Sequence, residues 1–253
     1  MQILAGFADI SLWQLALVAG VALFASIVGG VSGYGIGALM PLVLVPIVGP
    51  EPVVPIIALA GLMTNSGRVF AFRSLVDWRK VAIISVGAIP PCIVTAYGFT
   101  LLTGRGAMLA IGAMLMLTVP LRYMLRRRAV VLGDRGMLFG GAGYGAAVGG
   151  TVGAGVILLS VLMAAGLQGA AVIATDAVIS IVIGVTRLTV FGIAGALTPQ
   201  TVAFSLLIGF VAFPGAFLAK TFVQRLPIHV HTHILDTVVL LGGAVMVYGA
   251  LTR

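Results

Sequence analysis

Gly29, Gly30, Val31, Ser32, Gly33, Tyr34, Gly35, Ile36, Gly37 interrupts two apolar runs, and Pro41 follows within the second. The stretch has an echo. Gly149, Gly150, Thr151, Val152, Gly153, Ala154, Gly155, Val156 repeats glycine at four matching positions, at a constant offset of 120 (149 − 29). Glycine lacks a Cβ, so such runs let a helix break, expose its backbone N–H and C=O groups, or allow a neighbour to approach closely. In a bilayer, broken backbone is tolerated only where protein or a water-lined cavity surrounds it. Interrupted segments at corresponding places in two halves therefore point to a transport site.

The flanking composition is that of a membrane protein. Of 253 residues, 61% are hydrophobic and 8% charged, with a mean hydropathy of +1.24, against about 25% charged residues in soluble domains. A span takes about 20 apolar residues, so this length holds at most about ten to twelve spans and leaves no room for a soluble domain. A single membrane domain over 1–253 is expected. The net charge of +8 does not signal nucleic acid, because the basic residues sit in short loops between apolar segments. They read as topology signals. The single cysteine, Cys92, excludes a disulfide framework and a thiolate metal cluster. Met1 to Ser11 contains no Lys or Arg, so a cleaved signal peptide is not expected.

Apolar runs between polar punctuation fall at 12–28, 36–49, 53–72, 81–102 and 107–122, then at 136–149, 154–167, 169–193, 200–223 and 234–251. The expected fold is all-α and polytopic, with about eight to ten transmembrane segments, some of them short enough to be half-helices or re-entrant pieces. The first repeat covers about 12–125, a basic junction 122–135, and the second repeat 136–253. Arg73, Arg79 and Lys80, then Arg122, Arg126, Arg127, Arg128 and Arg135, then Lys220 and Arg225 fall on one side if all ten segments cross. The positive-inside rule makes that side cytoplasmic. Five crossings per half is odd, so the halves would be inverted relative to each other. Were each short pair a single re-entrant hairpin, the reading becomes a parallel repeat. Arg126 to Arg128 read as the cytoplasmic anchor between the halves, with an anionic-lipid contact as the weaker option.

With these residues in view, the chain resembles the TauE/SafE family of membrane permeases, the sulfite or sulfonate exporters. The resemblance rests on Ser32, Gly33, Tyr34, Gly35, Ile36, Gly37 with Pro41 and Leu42, on Val76, Asp77, Trp78, Arg79, and on the restart at Gly149 and Gly150 after a basic midpoint. It implies secondary transport of a small sulfur-containing anion, such as sulfite, a sulfonate or sulfoacetate, across a bacterial cytoplasmic membrane.

Candidate site residues follow from helical spacing. Gly61, Thr64, Asn65 and Arg68 share one face of the third segment, and Asp176, Ser180, Ile183, Gly184 and Arg187 one face of the eighth. Arg68 and Arg187 lie 119 residues apart (187 − 68), close to the glycine offset. A guanidinium is a planar, permanently charged fork suited to sulfonate or carboxylate oxygens. The alternative is that each arginine snorkels to the interface. Backbone N–H groups at Gly33, Gly35, Gly150 and Gly153, with the hydroxyls of Ser32, Tyr34 and Thr151, would complete an anion site at helix N-termini. Close packing by small residues is the alternative for the glycines. Asp176 is suited to proton coupling or to being the counter-ion of an arginine on another helix. Pro90, Pro91 and Pro214 read as kinks or hinges. His229, His231 and His233 imitate a metal site but lie by a basic loop after Pro227 without a supporting motif, so neither metal nor cofactor is expected.

The leading function is a secondary transporter working by alternating access, with the bilayer and a small anion as its partners. No P-loop is present to couple it to nucleotide hydrolysis. A passive anion channel and a transporter of small carboxylates are the alternatives, and an enzyme lacks a nucleophile, base and orienter together in the apolar segments. A homodimer through small-residue faces is a reasonable expectation.

Overall fold

The apolar runs form ten α-helices among the described residues: α1 (Leu12–Ser32), α2 (Gly35–Val48), α3 (Val53–Phe72), α4 (Trp78–Thr100), α5 (Gly104–Arg127), α6 (Asp134–Gly149), α7 (Gly155–Ala164), α8 (Ala170–Ile193), α9 (Pro199–Phe222) and α10 (Ile228–Thr252). The computed structural model describes residues 6–7, 10–32, 35–127, 131–222 and 228–252, with side chains described outside 28–32, 126–127, 216–222 and 228–234. Among these residues there is no strand. Five stretches are long and apolar enough to cross a membrane: Val53–Leu75, Trp78–Thr100, Gly104–Leu125, Ala170–Ile193 and Leu235–Thr252. Leu12–Ile27, Gly35–Val48, Gly155–Ala164 and Pro199–Gly215 are shorter apolar helices.

Local chemistry sets the helix ends. Asp77 caps α4, its Oδ1 accepting the Lys80 backbone N–H at 3.1 Å while Oδ2 takes the Lys80 ammonium at 2.5 Å. The hydrogen bond from Lys80, outweighing burial, holds the Asp77 carboxyl below its usual range. A single 3-10 turn, Arg73–Leu75, leads from α3 to this cap. Residues 150–154 separate α6 from α7, and there Gly153 takes φ +84°, a conformation open to glycine at little cost. The helices that follow the two breaks, α2 and α7, begin at Gly35 and Gly155, again 120 residues apart (155 − 35). α4 and α9 continue as helix through Pro90, Pro91 and Pro214.

Small residues set the tightest packing. α4 and α6 run side by side in the same direction, Gly141, Gly145 and Gly149 of α6 lying against the backbone at Ile84, Ala88 and Cys92. A Cβ on any of the three would strike a carbonyl oxygen of α4. α5 and α10 run antiparallel and meet at Gly112 and Gly243, where a Cβ on either would stand 2.9 or 2.8 Å from the other's carbonyl oxygen. Also antiparallel are α3 and α8, with Gly184 against Leu62 at one place and Asp176 near Arg68 at another. α9 lies along both α1 and α3, its Ala212 carbonyl accepting from Ser26 at 2.6 Å and its Ser205 donating to the Ile56 carbonyl at 3.1 Å.

These contacts sort the helix ends into two levels. At one, the Asp77 N–H donates to Thr175 Oγ1 at 3.1 Å, Arg79 pairs with Asp134 at 2.6 Å, and the Leu132 N–H donates to the Ala164 carbonyl at 2.8 Å. α6 thus starts, and α7 ends, at the level where α4 and α8 start. At the other, Gly6 lies against Pro199 at the start of α9, Gly104 of α5 lies by Glu51 just after α2, and Arg105 reaches the Leu251 carbonyl at 3.3 Å. The pair α1–α2 begins and ends at this second level. Each short pair is therefore a hairpin, and the two hairpins belong to opposite ends of the bundle.

Candidate functional site

A cavity of about 470 Å³ lies between the broken segments and the helices α3, α5 and α8. That volume falls within the range of small-molecule sites. Its wall includes Gly35 and Gly37 at the start of α2, and Gly153 and Gly155 at the break before α7. The start of α2 meets the break before α7: a Cβ on Gly37 would stand 3.1 Å from the Gly153 nitrogen. From there the cavity runs along α7 and α8 to Leu167, Gln168 and Gly169, at the level of Asp77 and Arg79.

Both helical faces inferred from spacing line this cavity. Gly61, Thr64, Asn65 and Arg68 come from α3, and Asp176, Ser180, Ile183, Gly184 and Arg187 from α8. Arg187 is 6% exposed, donates from Nη2 to the Thr151 carbonyl at 3.1 Å, and lies 5.8 Å from the Phe191 ring centroid. Among the described residues its buried Nε has no hydrogen-bond partner. A permanently charged group held in this way, with a donor to spare, is suited to an anion. Arg68 is more open; its Nη1 lies 3.5 Å from Asn65 Oδ1 and 3.9 Å from Asp176 Oδ2. The partner of Asp176 is thus an arginine on another helix. The two arginines face different surroundings, a carboxylate for Arg68 and a backbone carbonyl with an aromatic face for Arg187.

The remaining sequence candidates divide. Gly35 and Gly153 line the cavity, whereas Gly150 packs on α4, where a Cβ would stand 2.7 Å from the Thr95 carbonyl oxygen. Gly149 does the same against Cys92 and Thr95, so at both residues close packing accounts for the glycine. The Thr151 hydroxyl donates to the Ala147 carbonyl; it is the Thr151 carbonyl that holds Arg187. Gly33 and Tyr34 lie outside the described residues, as do the side chains of Ser32 and of His229, His231 and His233. Among the described residues no cluster of His, Cys, Asp and Glu could hold a metal ion.

One residue has a different place from the one expected. Arg122, grouped with the basic junction, is inside α5, 4% exposed, and on the cavity wall. Its Nη1 pairs with Asp236 Oδ1 of α10 at 3.2 Å, and Tyr123 donates to Asp236 Oδ2 at 2.8 Å. A buried carboxylate with two donors stabilises the guanidinium there, which an interfacial anchor would not need. The arginine-rich sequence from 126 to 128 hid this, because the acid that holds Arg122 lies in the last helix.

No curated protein and no solved structure matches the chain. The family described as "Sulfite exporter TauE/SafE" matches residues 18–246, from within α1 to within α10. The chain therefore belongs to the TauE/SafE sulfite exporter family, whose members are membrane transporters and not enzymes.

Proposed function

We propose that the protein is a secondary transporter of a small sulfur oxyanion, working by alternating access across a bacterial cytoplasmic membrane. The observation that carries this reading is Arg187, a buried guanidinium with a donor to spare on the wall of a cavity at the meeting point of two broken segments. Broken helices present N-terminal N–H groups and partial positive charge, here at Gly35 and Gly155. The family's description, sulfite exporter, supports a sulfur oxyanion as the substrate class.

The helix pairing supports two inverted repeats. Exchanging each helix for the one five positions away turns the pair α1–α9 into α6–α4, and α3–α9 into α8–α4, and leaves α3–α8 and α5–α10 paired with themselves. With hairpins the inverted reading is favoured over the parallel one on the count of crossings. A hairpin that leaves by the side it entered adds no crossing, so three remain in each half, which is odd, and the halves stay inverted. With the basic level facing the cytoplasm, the cavity opens inward. Pro90, Pro91 and Pro214, at comparable places in α4 and α9, are then candidate hinges for the opposite state.

A thermal-shift screen of the detergent-purified chain against sulfite, thiosulfate, sulfoacetate, taurine, isethionate, sulfate and small carboxylates tests the reading, since a ligand bound by the folded state raises apparent stability. A shift by a sulfur anion that Arg187→Ala abolishes is expected. A shift by carboxylates alone would overturn the substrate class, and downhill flux at channel rates would overturn alternating access.

A further inference from the structure

We propose that Asp176 is a proton-binding site that competes with the substrate anion for Arg68, so that each monoanion enters the cavity together with one proton. The inference rests on the proposed anion transport and specifies its coupling.

Two aspartate–arginine pairs border the cavity, and they differ in construction. Asp236 has both oxygens engaged, by Arg122 at 3.2 Å and by Tyr123 at 2.8 Å, and its pair is almost fully buried. Among the described residues Asp176 has only Arg68, at 3.9 Å, beyond hydrogen-bonding distance, and its side chain lies at the cavity with 12% exposure. Held by charge alone at the cavity wall, Asp176 is the one of the two that can exchange a proton without giving up a hydrogen bond. Arg68 can turn to an anion in the cavity once Asp176 no longer holds it.

The charges around Asp176 bound the stoichiometry. On α3 stands Arg68, on α6 the phenol of Tyr144, on α4 the buried thiol of Cys92 and the mutually paired Asp77 and Lys80, and on the 3-10 turn Arg73. Arg187 follows on α8 itself, and Arg122 lies across the cavity with Asp236. With Arg122 matched by Asp236, the empty cavity carries Arg68, Arg187 and the ionised Asp176, one net positive charge. With a proton on Asp176 both Arg68 and Arg187 can hold the anion; without it Arg68 stays shared with the carboxylate. The residue 120 positions before Asp176 is Ile56, so the site has no twin in the first repeat and the count is one proton, not two.

Isothermal titration of the purified full-length chain with isethionate, a permanently ionised monoanion, in two buffers of different ionisation enthalpy counts the protons taken up on binding. About one proton per isethionate is expected, together with an affinity that falls about tenfold per pH unit once Asp176 is ionised. Asp176→Asn should bind isethionate with no proton uptake and a flat pH profile. Binding to the wild-type chain without proton uptake would overturn the inference and leave the anion site standing. Absence of binding by isethionate and by the other anions of the panel would overturn the transport reading and this inference with it.

Discussion

Removing the Asp236 carboxylate offers a quantitative test of the buried pair at the cavity wall. In Asp236→Ala the Arg122 guanidinium keeps its place inside α5, 4% exposed, without that carboxylate. Breaking a buried ion pair from one side costs about 3–5 kcal/mol, because a charge stays buried without its counter-ion. The lost Tyr123 bond adds little, since interhelical hydrogen bonds in bilayers average about 0.6 kcal/mol. The charge is therefore the larger effect. At about 2–4 °C per kcal/mol for a chain of this size, apparent melting should fall by roughly 6–20 °C. Replacing both partners, as Arg122→Met with Asp236→Leu, should recover most of that loss, because a well-packed apolar pair often does as well as a buried ion pair. Thermal unfolding of the wild type and the two variants in one detergent measures this. A single variant melting within about 1 °C of wild type, or a double variant worse than the single, would refute the reasoning.

The glycine contacts make a paired test. Gly145→Ala should lower stability by at least about 1–3 kcal/mol, because the new methyl meets the Ala88 carbonyl, whereas Gly143→Ala, with nothing within 4 Å, should gain about 0.5–1 kcal/mol from helix propensity; melting curves distinguish them. The Asp77 cap sets an acid limit. Because Lys80 holds the folded carboxyl below its ordinary value of 3.8, its stabilisation is complete above that pH and is lost as the pH falls through the folded value. Lys80→Ala should flatten the melting temperature in that acid window and leave it unchanged in slope near neutrality. Arg68→Ala is expected to weaken isethionate binding and Arg187→Ala to abolish it, measured by titration of each folded variant, since only Arg68 shares its charge with a carboxylate.

Much of the architecture was legible because apolar length and glycine punctuation are local. All ten helices fall on the ten apolar runs, and spacing alone put Arg68 with Asn65 and Arg187 with Ser180 on faces that line one cavity. What was not legible depends on contacts distant in sequence. Arg122 reads in sequence as part of an interfacial cluster because its partner, Asp236, lies over a hundred residues away and meets it only in the fold. Gly149 and Gly150 shared their pattern with Gly153, and only the position of α4 separates the packing glycines from the one on the cavity wall. The hairpins needed the Leu132–Ala164 bond and the Gly104–Glu51 contact, which no hydropathy pattern contains.

The central claim, an anion carried past Arg187, is tested most directly by uptake of radiolabelled sulfur anions of the screening panel into proteoliposomes holding the wild-type chain or Arg187→Ala. Saturable uptake by the wild-type chain, lost in a variant that remains monodisperse and folded, is the expected result. Equal uptake by both, or no uptake of any sulfur anion by a folded wild-type chain, would contradict it.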